Sequence, residues 1–258
     1  MNYKVIHGDC LQEMGSIEDS AVDALITDPP YCAGGISESS RTSAIGQGLR
    51  SGNLARFGWF VGDNMTTAGL VWLLRSVAIE GLRIVKPSGS ILFFCDWKML
   101  HTLVPAIESA GLRYQGLIVW NKKSFGMGTG FRCQHELVMH FTTGKPEYHD
   151  RSTGNVIEDS RVNAATREHQ TQKPTELMKK LINVVSPRRG VILDPFCGSG
   201  STGVAAMELD RDFIGIERSV DHVATANSRL SAASQRKQLF VPDAANLNMQ
   251  DRLFECQE

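Results

Sequence analysis

Short apolar runs alternate with segments of helical periodicity along most of this chain, and that alternation restricts the fold more than any other feature. Runs rich in β-branched and aliphatic residues fall at 3–6, 24–27, 90–94, 117–120, 137–141, 191–194 and 213–217. Between two of them, Leu70, Leu73, Leu74, Val77, Ala78, Gly81, Leu82 and Val85 recur at helical spacing and stop before Pro87. Segments 97–110, 174–185, 201–209 and 220–233 carry similar patterns, and Pro174 suits a first helical turn. Strand–helix alternation predicts an α/β fold, a doubly wound and mostly parallel seven-stranded sheet with helices on both faces. Residues 238–241 add a candidate last strand. At 258 residues, 42% hydrophobic and 21% charged, the chain has the composition of one globular domain spanning 1–258.

Two stretches break the rhythm. Residues 32–64 are dense in Gly and Ser with dispersed Arg, and residues 145–172 are polar throughout. Loops of that length in a compact domain are usually lids, binding loops or surface insertions; the first reads as a mobile loop. Six scattered cysteines (Cys10, Cys32, Cys95, Cys133, Cys197, Cys256) form no C-x-x-C pair, so reduced thiols and no bound metal are expected, with Cys95 and Cys197 buried. No apolar run is long enough to span a bilayer and residues 1–9 lack a signal-peptide layout, which points to the cytoplasm. The net charge of −1 means that any nucleic-acid contact needs a local basic face, for which Arg41, Arg50, Arg56, Lys122, Lys123, Arg132, Arg161 and Arg167 are the candidates.

Two strand ends carry chemistry. The run Val191-Ile192-Leu193-Asp194 leads into Pro195-Phe196-Cys197-Gly198-Ser199-Gly200-Ser201-Thr202-Gly203 and then a helix, and Glu217 stands at the end of the next strand. Glycines let the backbone turn sharply and approach a ligand, the helix N-terminus offers unpaired N–H groups, and an acid in the place of Glu217 can accept from ribose hydroxyls. Gly198-x-Gly200-x-x-Gly203 satisfies the dinucleotide fingerprint, so a nicotinamide-dependent dehydrogenase is one reading. Asp194 favours another: a carboxylate just before the loop repels a pyrophosphate but suits the ammonium of S-adenosylmethionine.

The second strand, Ala24-Leu25-Ile26-Thr27, ends in Asp28-Pro29-Pro30-Tyr31. Doubled proline stops a strand and removes two donors, which leaves the Pro29 carbonyl and Asp28 as acceptors and Tyr31 as a flat face. That set suits an aromatic amino group, whose lone pair is delocalised until its hydrogens are held by acceptors. The target base would be flipped out of its duplex and stacked on Tyr31.

At these residues the sequence resembles the amino-methylating DNA methyltransferases, specifically the β-class, whose permuted order places the catalytic motif before the cofactor motif. Gly8-Asp9-Cys10, Asp28-Pro29-Pro30-Tyr31, Phe131-Arg132 with His135-Glu136, His169-Gln170-Thr171-Gln172-Lys173-Pro174, and the segment 194–200 with Glu217 carry the resemblance, which covers most of the chain. It implies a Rossmann-like methyltransferase sheet, S-adenosylmethionine as cofactor, double-stranded DNA as partner and a homodimer; a partner endonuclease stays undetermined. By the same resemblance Asp9, Cys10, Lys173, Asp194, Pro195, Phe196, Gly198, Ser199, Gly200, Glu217 and Arg218 would bind the cofactor, with Lys173 near its carboxylate. Asp28, Pro29, Pro30 and Tyr31 would be catalytic. His135 reads as a loop-orienting residue or a chemical one. Residues 145–172 form an unusually short target-recognition segment, so a short or relaxed site is expected, or one read with help from a second subunit and from residues 32–64. Asp rather than Ser at position 28 leans toward adenine-N6 over cytosine-N4. A non-catalytic nucleotide- or DNA-binding module remains the third reading.

Overall fold

The computed structural model describes residues 2–30, 65–126, 129–160 and 173–240. Tyr31, Arg41, Arg50, Arg56, Arg161, Arg167 and the segment 169–172 lie outside them. Among the described residues, eight strands form one sheet in the order β1-β8-β7-β2-β3-β5-β4-β6. They are β1 (Tyr3–His7), β2 (Val22–Thr27), β3 (Val85–Cys95), β4 (Arg113–Asn121), β5 (His135–Thr142), β6 (Val156–Glu158), β7 (Val191–Asp194) and β8 (Asp212–Glu217). Six described helices accompany them: α1 (Cys10–Met14), α2 (Thr67–Ile84), α3 (Leu100–Glu108), α4 (Thr175–Val185), α5 (Ser201–Glu208) and α6 (Val220–Phe240). Of the described strands only β5 runs against the rest, pairing antiparallel with β3 and β4.

The strands are recognisable in the sequence because they are buried on both faces, where parallel strands read as continuous apolar runs. Alternate residues feed two cores. Leu25, Ile91, Phe93 and Phe141 pack beside Leu74, Val77 and Leu103 of α2 and α3. Ala24, Ile26, Leu92 and Phe94 pack beside Leu177, Ile182, Val204 and Leu230 of α4, α5 and α6. The doubly wound architecture follows from this two-sided burial.

Three expectations change. The sheet has eight described strands, not seven, because Val156–Glu158 joins the edge beside Val119–Asn121; three residues in a polar stretch give no periodic signal. Residues 238–240 continue α6 and form no strand. The sequence ahead of them is rich in helix formers and meets no breaker before Pro242. Pro174 is the N-cap of α4, with φ −60° and ψ 132°, and lies just outside the first turn. Cys10, Cys95 and Cys197 are buried free thiols, and no described helix is long and apolar enough to cross a membrane.

Candidate active site

Strands β1, β8, β7, β2 and β3 are parallel neighbours, so their carboxyl ends lie along one edge. Asp9, Glu217, Asp194 and Asp28 follow or close four of these strands. Ligands of open α/β sheets bind in the crevice at this edge, where the strand order reverses. The two motif-bearing tips meet directly: Thr27, one residue before Asp28, donates from Oγ1 to Asp194 Oδ1 at 2.6 Å. Glu217 lies two strands from Asp28, about 10 Å at ordinary strand spacing.

The loop after β7 is built around carboxylates. Asp194 is 3% exposed; Oδ1 also accepts from the Phe196 amide at 3.1 Å, and Oδ2 from Thr202 Oγ1 at 2.6 Å. Burial pushes the Asp194 carboxyl up to about 6, an effect that the bonds from Thr202, Thr27 and Phe196 oppose and the charge of Asp28 reinforces. Asp194 thus has a visible structural role, in which this carboxylate pins loop, helix and neighbouring strand together. Glu217 accepts from the Gly198 amide (2.9 Å) and the Ser219 amide (2.8 Å). Burial pushes its carboxyl up, but His222 and these two bonds outweigh burial and hold it below the usual carboxylate range. Oε1 also faces His222 Nδ1 at 3.7 Å, and Oε2, which accepts from Gly198, has a second lone pair.

Glycine is required here for two reasons. Gly198 and Gly200 have φ +50° and +80°, and a Cβ on Gly198 would meet nothing within 4 Å among the described residues, so these leave open space before its backbone. A Cβ on Gly203 would sit 2.6 Å from the Phe213 ring, so this glycine lets α5 lie close on β8. Pro195, Ser199 and Gly200 are buried and Phe196 is half-buried. Arg229 of α6, which no local pattern singles out, donates to Ser199 O at 2.6 Å and to Ser199 Oγ at 3.0 Å.

At β1, Asp9 caps α1 by accepting from the Leu11 amide at 3.0 Å. Cys10 is packed into the core, and burial first, then Asp9, pushes its thiol up to about 12. Arg218 is exposed, and its carbonyl lies 3.1 Å from His7 Nε2.

At β2, Pro29 is buried and Pro30 half-buried, while the Asp28 side chain is 20% exposed. Lys173, expected near a cofactor carboxylate, places Nζ 2.7 Å from Asp28 Oδ2 and 2.9 Å from Glu136 Oε2. Lys122, expected on the DNA-facing surface, is 9% exposed and pairs with Glu136 at 2.6 Å over the Trp120 ring. A run of lysines reveals charge but not depth, and Glu136 stands in the sequence only as a motif position, with nothing local to mark its partners. Arg132 does remain on the surface, stacked 3.8 Å over the Phe125 ring. It lies between β4 and β5 at the same sheet edge as Asp28. Exposed Trp97, Phe125 and Phe131 share that edge with Lys98 and Lys123. His135 opens β5 opposite Asn121.

The residues fit S-adenosylmethionine better than a dinucleotide. Four carboxylates line the edge and a glycine backbone opens beside them, so a pyrophosphate laid on the loop would meet like charge.

Comparison with known proteins agrees. Residues 22–228 match the family described as DNA methylase. A putative methylase, YubD of Escherichia coli K12, is 28% identical over 94% of this chain and 99% of its own length. The type II methyltransferase M.HinfI of Haemophilus influenzae is 27% identical over 88% of this chain and 67% of its own. Among solved structures, the M1.HpyAVI complex with S-adenosylmethionine superposes with a TM-score of 0.61 at 22% identity, covering 88% of this chain and 99% of that one. The cytosine-N4-specific PvuII DNA methyltransferase superposes with a TM-score of 0.67 at 16% identity, covering 89% and 86%. The dehydrogenase reading of the glycine loop falls away, and the chain belongs to the N6/N4 DNA methylase family.

Proposed function

We propose that this chain transfers a methyl group from S-adenosylmethionine to the N6 amino group of an adenine flipped out of double-stranded DNA. The observation that carries the reading is the joining of the two strand tips through Thr27 and Asp194, which puts the Asp28 acceptor beside the glycine loop. When bound, the cofactor would supply an electrophilic methyl on a sulfonium, whose S–CH3 bond breaks as the new N–CH3 bond forms, leaving the neutral thioether S-adenosylhomocysteine. Gly198 and Glu217 hold its nucleoside portion by close backbone approach and ribose hydroxyl contacts. Asp28 accepts from the amino N–H and, with the Pro29 carbonyl, draws the nitrogen toward tetrahedral geometry so that its lone pair is directed outward. The proton released from that nitrogen passes to Asp28 and on to water. Most of the acceleration comes from positioning and fixed charge.

Arg132, Lys98 and Lys123, interleaved with Trp97, Phe125 and Phe131, supply phosphate contacts and stacking faces on the same edge. Residues 32–64 and 145–172 would complete target recognition, with residues 156–158 anchoring the latter as β6, and a second copy would contribute as a homodimer.

Cytosine-N4 is the second reading, because the PvuII enzyme shares the fold and the same acceptors serve either amino group. Tritiated methyl transfer to duplex DNA followed by nucleoside identification tests the choice. Label in N6-methyladenine is expected. Label in N4-methylcytosine would transfer the reading to cytosine, and no label in any DNA would overturn it.

A further inference from the structure

Asp28 ends on a buried chain of alternating charge. Lys173, 7% exposed, bridges Asp28 and Glu136, and Glu136 reaches Lys122. The four residues come from the end of β2, the approach to α4, the second position of β5 and the residue after β4. The Phe94 ring lies 4.9 Å from Lys173 Nζ and the Trp120 ring 5.3 Å from Lys122 Nζ, so the chain runs through aromatic walls. Removing ions from water is costly unless each is paired, and here each cation meets a carboxylate within 3 Å.

We infer that Lys173 is a positioning residue that holds the Asp28 carboxylate ionised and fixed as an acceptor, and that Glu136 is a counterweight that tempers its pull. The chemistry assigned to Asp28 rests on the function proposed above; the electrostatics do not. A protonated Asp28 would present an O–H where the amino group needs an acceptor. Among the described residues, the charged groups facing it are Lys173, Asp194 on β7 and, behind Lys173, Glu136 on β5, with Lys122 beyond. Lys173, the cation in direct contact, favours the ionised form. Burial pushes Lys173 down, but Asp28 and Glu136 outweigh it and hold Lys173 above its ordinary range. Burial likewise pushes Glu136 up, and Lys173 and Lys122 outweigh it.

Two variants should therefore act with opposite sign. Lys173→Met removes the contacting cation and leaves Asp194 and Glu136 nearby, so the acid limb of the kcat profile moves up by about one pH unit or more. kcat at neutral pH falls while affinity for S-adenosylhomocysteine stays within about threefold, less than the tenfold that marks a lost contact of about 1.4 kcal/mol. Glu136→Gln removes the competing anion and moves the same limb down. Carboxyl-labelled aspartate followed by 13C NMR, with the Asp28 signal assigned from Asp28→Asn, reads both shifts without DNA. If the wild-type chain methylates no DNA, the proposed function fails and the NMR titration still decides this inference. If Lys173→Met does not fold, the downward shift in Glu136→Gln decides it. Equal or absent shifts would overturn it. So would a Lys173→Met protein that loses S-adenosylhomocysteine affinity with its acid limb unmoved, because Lys173 would then serve the cofactor.

Discussion

Asp28 and Asp194 occupy equivalent places, each at the carboxyl end of an apolar strand and on neighbouring strands, yet their surroundings differ in kind. Asp28 keeps a fifth of its side chain exposed and is met by a cation. Asp194 is almost fully buried and is met by two hydroxyls and an amide, all neutral. A charge-paired carboxylate that keeps part of its surface exposed is equipped to receive a substrate. A carboxylate with neutral donors on both oxygens, raised toward 6 by burial, is equipped to tie elements together. Environments that pull two like carboxylates apart are a common way to divide labour within one site.

Exchanging the charge at each tip should give unlike losses. Asp28→Asn keeps shape and removes the anionic acceptor; methyl transfer should fall about 10³-fold, the scale of losing one preorganised polar contact to the reacting group, as read by single-turnover tritium transfer. Asp194→Asn should instead change the pH dependence of stability. Its carboxyl moves from 3.8 unfolded to about 6 folded, so the native state binds the extra proton. The associated stability is complete below 3.8 and is lost as pH rises through about 6. At about 1.36 kcal/mol per unit this is about 3 kcal/mol in the wild type. Urea unfolding between about pH 4 and 6.5 should therefore show a decline that Asp194→Asn flattens. A decline of the same size in both proteins would remove the special status given to Asp194.

The smallest contrast lies within the glycine loop. Gly203→Ala drives a methyl into Phe213 and should cost about 1–3 kcal/mol of stability, the scale of overpacking. Gly198→Ala enters open space and should cost about 1–2 kcal/mol through its left-handed backbone, while weakening S-adenosylhomocysteine binding in calorimetry. Equal binding losses in the two variants would erase the distinction between packing glycine and ligand-facing glycine.

Much of this is legible in the sequence for a physical reason. Doubly buried strands announce themselves as apolar runs, and an Asp after such a run is conspicuous, so Asp28, Asp194 and Glu217 stand out together. What decides their roles is not legible. The Lys173–Asp28 pair joins positions 145 residues apart, and only the chain's path brings them together. Lys122 reads as a surface charge because composition carries no depth. Thr27 and Thr202 sit beside the motifs in plain view, but their donation to one carboxylate depends on the β2–β7 pairing. The strand β6 is invisible in the sequence because three edge residues have too short a period to detect.

The division of labour between neighbouring tips is tested most directly by calorimetric titration of S-adenosylhomocysteine into Asp28→Ala and Asp194→Ala side by side. Asp28→Ala should bind within about threefold of wild type, and Asp194→Ala, with its loop released from three hydrogen bonds, at least about tenfold more weakly, the roughly 1.4 kcal/mol scale of one lost buried hydrogen bond. Equal affinities in the two variants, or the reverse order, would show that the tips do not divide the work in this way.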